Sequence, residues 1–127
     1  MTTPCPCGRS APLAECCGRY LAGTPAPDAE SLMRSRYTGY VLQDEPYLLA
    51  TWHPDSRPAM LNLKAEIPAK WLGLKVIRSD QQDDSHASVE FVARYKVAGK
   101  AWRMHEISRF EKLDGRWYYL HGEQPEG

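Results

Sequence analysis

The sequence predicts an α+β fold in which helices come first and pack on one face of a curved antiparallel sheet of about four strands. Three features carry the prediction. Apolar residues recur at three-to-four spacing between Asp28 and Trp52, and beyond Lys70 they switch to alternation. Turn dipeptides punctuate the alternating half, strongly at Asp114-Gly115 and more weakly at Ala98-Gly99. Ahead of both halves, residues 1–27 hold all four cysteines and five of the ten prolines without a sustained apolar period, so this stretch cannot build a core by itself.

The helical half opens at Asp28, which can cap a helix running from Ala29 to about Gln43, with Glu30 well placed in its first turn. Met33, Tyr37, Tyr40 and Val41 mark its apolar stripe. A second helix is expected over Glu45–Trp52, since Pro54 makes a helical His53 unfavourable. A third helical turn is expected over Leu61–Ala69, limited by Pro68. Four strands follow, over Trp71–Ser79, Ala87–Val97, Ala101–Leu113 and Arg116–Gly122, and read as a meander. On the third, Trp102, Met104, Glu106, Ser108 and Phe110 share a face, opposite Arg103, His105, Ile107, Arg109 and Glu111. The acidic stretch Ser79–Ser85 reads as a solvated loop rather than a hard-cation site.

Length and charge exclude several classes. A chain of 127 residues has room for one core. Sixteen basic residues balance sixteen acidic ones, so bulk charge draws it to neither nucleic acid nor an anionic membrane. No apolar run is long enough to span a bilayer, and the first residues lack the basic and apolar regions of a signal peptide, which predicts a cytoplasmic protein.

In a reducing compartment, four cysteines within the first 17 residues point to a metal rather than to disulfides. Cys5, Cys7, Cys16 and Cys17 supply the four soft ligands of a closed tetrahedral zinc site, with eight residues between the pairs to turn the chain back. Four thiolates and one Zn²⁺ change the formal charge from 0 to −2, which Arg9 and Arg19 are placed to offset while donating to the sulfurs. Structural zinc is the first reading. Redox-active thiols at Cys16-Cys17, another thiophilic metal or a labile cluster are the alternatives, and catalytic zinc fits least because no coordination position stays open.

The segment Cys5-Pro6-Cys7-Gly8 through Cys16-Cys17-Gly18 resembles the SEC-C motif, a zinc-binding element also found in the SecA translocation ATPase. Further along, Leu32-Met33-Arg34-Ser35-Arg36-Tyr37, Thr51-Trp52-His53-Pro54, Val89-Glu90-Phe91-Val92-Ala93 and Arg116-Trp117-Tyr118-Tyr119 resemble bacterial YchJ-type proteins. That resemblance implies an SEC-C element and linker over residues 1–27 fused to an NTF2-like cone over 28–127. It also implies a protein partner for the zinc element, of chaperone, translocation or ribosome-associated type. The fold class admits a homodimer through the exposed sheet face.

Such a cone has a concave face, where an inward polar group marks a candidate site. Glu106 is the leading candidate, as a general base or ligand acceptor; its structural alternative is a buried pair with Arg34, Arg36 or His53. His53, at a helix end, is the second candidate, with a helix-end structural role as its alternative. His105 lies across the strand from Glu106 and is not paired with it, and His121 is expected on the face of Trp117 and Tyr119, packed or at the surface. The four tryptophans read as core and rim aromatics. No nucleophile-and-base constellation stands out. The expectation is therefore a zinc-binding, non-enzymatic protein-interaction or adaptor module. The alternative is a small-molecule binder or enzyme using the cone around Glu106.

Overall fold

Asp28 begins the helical half as expected: its carboxylate accepts from the Ser31 amide at 2.7 Å, one of the four N–H groups a helix start leaves unpaired. In this computed structural model, which describes residues 3–9, 11–61 and 69–124, the capped helix α2 covers Ala29–Val41. A short helix α1, Cys17–Leu21, precedes it, and α3, Glu45–Ala50, follows, capped by Asp44 on the Tyr47 amide at 3.2 Å. The expected turn over Leu61–Ala69 falls on residues 62–68, outside the described residues.

The sheet is a four-stranded antiparallel meander in the order β1 (Lys70–Gln81), β2 (His86–Val97), β3 (Lys100–Leu113), β4 (Arg116–Glu123). Ala98-Gly99 and Asp114-Gly115 both sit at positive φ, as two-residue hairpin turns matched to strand twist require. β1 runs on to Gln81, so the acidic stretch is half strand and only its remainder is turn. The core lies between α2 and the sheet, where Leu32, Met33 and Tyr37 meet Val89, Phe91, Ala93, Phe110 and Trp117.

Three expectations need correction. First, the side of α2 away from its apolar stripe is not free: Ser31 and Thr38 are buried under the cysteine segment, and Ser35, Arg36 and Gly39 under Tyr47, Leu48 and Thr51 of α3 and its end. Second, α3 stops at Ala50 rather than Trp52. Beyond it the chain runs parallel beside β4, with the Tyr119 amide donating to Thr51 O at 2.8 Å and the His53 amide donating to Tyr119 O at 2.7 Å. That pairing shields the β4 edge. Third, Trp102 is not buried; it is 47% exposed at the hairpin end of β3, with the Lys100 ammonium over its ring.

Candidate metal centre and cone cavity

The cysteine segment folds back on itself, with the Cys5 amide donating to Ala11 O at 3.0 Å and the Leu13 amide to Thr3 O at 2.7 Å. Gly8, at φ +93, makes the turn, and Gly18 lies so close to Leu13 O that a Cβ there would overlap it. The result brings the Sγ atoms of Cys5, Cys7, Cys16 and Cys17 within 4.8 Å of one another, all four residues buried. Zinc–sulfur bonds of about 2.3 Å place tetrahedral sulfurs about 3.8 Å apart. Cys7 Sγ and Cys16 Sγ lie 3.7 Å apart.

The four thiols do not share one electrostatic setting. Hydrogen bonding from the Cys17 thiol holds Cys7 well below the ordinary thiol range, and the same bond, from the donor's side, pushes Cys17 up. Burial pushes Cys16 up as well. Holding all four as thiolates at this spacing would require a positive ion among them. Four sulfurs, close, buried and unbridged by disulfides, fit a thiophilic metal.

The arginines act differently from expectation. Arg9 turns its guanidinium to Ser31 Oγ at 3.1 Å and Glu30 at 3.3 Å, and it is its backbone N–H that reaches the Cys7 sulfur. Arg19 donates to Cys16 O at 3.2 Å and to the Tyr20 hydroxyl at 3.1 Å. Arg34 ties the cysteine loop to α2, donating to Cys7 O at 2.7 Å and to Glu30 at 2.9 Å. Cys5 Sγ lies 3.8 Å from Thr38 Oγ1, on the same helix.

On its other side, α2 forms one wall of a cavity of about 260 Å³. Met33, Arg36, Tyr37 and Tyr40 line it from α2, Trp71 from β1, Phe91 and Ala93 from β2, Met104, Glu106, Ser108 and Phe110 from β3, and Tyr119 from β4. Glu106 therefore faces the concave side, as alternation predicts. Its Oε2 accepts from Ser108 Oγ at 2.5 Å, and a Cβ at Gly122 would overlap its carboxylate, so a glycine at 122 makes the space it occupies. A bulge puts Gly122 there: Phe110 pairs with Tyr119 but Arg109 with His121, leaving Leu120 as the extra residue. The same bulge carries His121 to the outer face beside Arg109, away from the Trp117 and Tyr119 face.

Arg36, 6% exposed, is the buried cation of this cavity. Its Nη1 donates to Leu48 O and Thr51 Oγ1, both at 2.7 Å, and its guanidinium lies over the rings of Trp52 and Tyr119. Burial lowers its pKa and raises that of Tyr119, the latter also under the Glu106 charge. Among the described residues no carboxylate lies within salt-bridge distance of Arg36, so none of the expected structural pairs for Glu106 forms directly.

His53 is not in the cavity. With Trp52 bridged to Tyr119 of β4 just past the α3 cap, Trp52 turns to the Tyr119 side and His53 to the side of Tyr118 and Glu111. There Nδ1 accepts from the Asp55 amide at 3.0 Å, which leaves the ring hydrogen on Nε2, 3.6 Å from Glu111 Oε1. His105 bonds Glu90 at 2.7 Å on the outer face, and so is not a partner for Glu106.

A family model described as the YchJ middle NTF2-like domain matches residues 28–122. The chain belongs to the YchJ family. A UPF0225 protein of Bordetella pertussis is 57% identical over 122 residues, covering 94% of this chain and 91% of its own. Another from Chromobacterium violaceum is 56% identical over 123 residues, covering 93% and 90%. The solution structure of a SEC-C motif containing protein from Rhodopseudomonas palustris superposes with a TM-score of 0.87 at 35% identity, covering 98% of this chain and all of that one. A SEC-C motif containing protein from Psychrobacter arcticus gives 0.79 at 28% identity, covering 98% and 84%. The α+β, NTF2-like architecture of this YchJ-family chain thus agrees with its sequence, its relatives and its own strands and helices. What the sequence left invisible was Gly122 as a spacer, while Arg36 was foreseen beside Glu106 only as an ion-pair partner. An isolated glycine inside a strand was the available signal for the spacer.

Proposed function

We propose that this protein binds a small molecule in its cone cavity, and that its four cysteines hold a structural zinc ion bracing the helix that walls that cavity. The observation carrying the first half is the cavity itself, with Glu106 seated among aromatic walls by Ser108 and by the missing side chain of Gly122. It moves the weight from a protein-interaction module, the first expectation, to its small-ligand alternative. The cysteine loop is tied to α2 through Cys5 Sγ at Thr38 and Cys7 O at Arg34, which suits a brace. Zinc is favoured among thiophilic metals by the four-sulfur set and its spacing, and four protein ligands make its role structural. A thiolate site of this kind suits a reducing compartment, so the cytoplasm is the proposed location.

A thermal-shift screen of a broad metabolite and fragment library on the metal-loaded chain tests the reading. The expected result is a stabilising ligand that shifts NMR signals of cavity residues and loses its effect in Glu106→Gln. A library with no stabiliser, or stabilisers that map elsewhere, would remove it. Metal analysis after anaerobic purification should give one zinc per chain.

A further inference from the structure

We infer that the cavity selects an uncharged, planar molecule of one to two rings that offers a hydroxyl or N–H hydrogen to Glu106. The inference rests on the cavity being a ligand site and adds the class of ligand. Size and walls set the body of the molecule. An apolar cavity of about 150 Å³ holds benzene, and this one, at about 260 Å³, has room for a larger ring system. Tyr37, Tyr40, Trp71, Phe91 and Phe110 offer it ring faces and edges.

Glu106 sets the polar handle. A carboxylate has about four acceptor positions, and among the described residues only the Ser108 hydroxyl donates to this one. A ligand that supplies a hydrogen there gains a charge-assisted bond, whereas one without it leaves a half-buried carboxylate to be desolvated.

Arg36 sets the net charge. Its Nη1 is taken by Leu48 O and Thr51 Oγ1 and its plane lies against two aromatic rings, while its charge remains beside the cavity. A cation drawn to Glu106 meets the like charge of Arg36. An anion drawn to the remaining guanidinium hydrogens of Arg36 meets the like charge of Glu106. A neutral donor is opposed by neither.

The test uses four naphthalenes of matched shape on the metal-loaded chain at neutral pH, followed by calorimetry and NMR: naphthol, methoxynaphthalene, naphthoate and naphthylmethylammonium. Naphthol is expected to bind at least about tenfold more tightly than the other three. In Glu106→Gln the amide accepts from Ser108 and turns its NH₂ to the ligand, so the preference for naphthol over methoxynaphthalene should vanish. Tightest binding by a charged member, or a naphthol preference that survives Glu106→Gln, overturns the inference. If none of the four binds while another library molecule occupies the cavity, the ligand class is wrong and the site reading stands. If nothing binds from either set, the site reading itself falls. The four-way comparison on the unmodified chain decides even if the variant fails to fold.

Discussion

Glu106 was legible because strand alternation alone puts it on the face of Met104, Ser108 and Phe110; the glycine that makes room for it was not. Counting by twos along β4 sends Gly122 to the opposite face from Tyr119, and only the bulge at Leu120 brings both to the cavity side. His53 points away from the cavity for the related reason that pairing of Trp52 and His53 with Tyr119 of β4, just past the α3 cap, sets its direction. The Glu106–Gly122 contact makes a sharp prediction. Gly122→Ala must shift the carboxylate, the far end of a flexible side chain beside a cavity, at a cost of about 0.5–1.5 kcal/mol in urea unfolding of the metal-loaded protein. In a Glu106→Ala background the same change should cost at least about 0.5 kcal/mol less, because the obstacle is gone. Equal costs in the two backgrounds would mean the overlap is relieved some other way. Arg36→Lys should cost about 2 kcal/mol by the same measurement, since an ammonium cannot both bond Leu48 O and Thr51 Oγ1 and lie flat over two rings. A change within about 0.5 kcal/mol of zero would show that the guanidinium's geometry is immaterial.

Among the elements, α2 links the two sites, one on each side of it. Its cap and start were readable at Asp28, yet the periodicity of Met33, Tyr37 and Tyr40 described only the sheet-facing stripe. The other face reads as polar because Arg34 and Thr38 meet the backbone and sulfur of the cysteine loop, and no pattern within the helix encodes that partner. The linkage predicts how metal removal spreads. Chelation should strip amide-exchange protection from the cysteine loop and α1 and also from the Glu30–Thr38 turns of α2, while β2 and β3 stay protected. Loss confined to residues before Asp28 would instead describe a detachable knob. Arg34→Met leaves Cys7 O without its donor, a loss of about 1–3 kcal/mol. It should also speed transfer of the metal to a chromophoric chelator; an unchanged transfer rate would show that the Arg34 tie does not hold the loop.

Across the whole molecule, composition and period were enough for the fold class, whereas the burial of phenols had to wait for the packing. Of the seven tyrosines, Tyr37, Tyr40, Tyr47 and Tyr119 have their pKa values raised, in each case mainly by burial. Tyr47, whose hydroxyl lies 2.6 Å from Ser35 Oγ, is pushed up to about 12. A phenol whose folded pKa exceeds its unfolded value of about 10 keeps its proton in the native state after the unfolded chain has released it. Its contribution is complete below about pH 10 and is lost as pH rises through the folded value. With four such groups on both sides of α2, stability should stay level toward pH 10 and then fall steeply toward pH 12, and the late part of the phenolate absorbance should rise together with loss of the near-ultraviolet dichroism. Tyr47→Phe should flatten part of that fall and, because it also gives up the Ser35 hydrogen bond, cost about 1 kcal/mol at neutral pH. Phenolate absorbance that is complete while the dichroism is still native would place these hydroxyls in water and contradict the packing of α2 between its two partners.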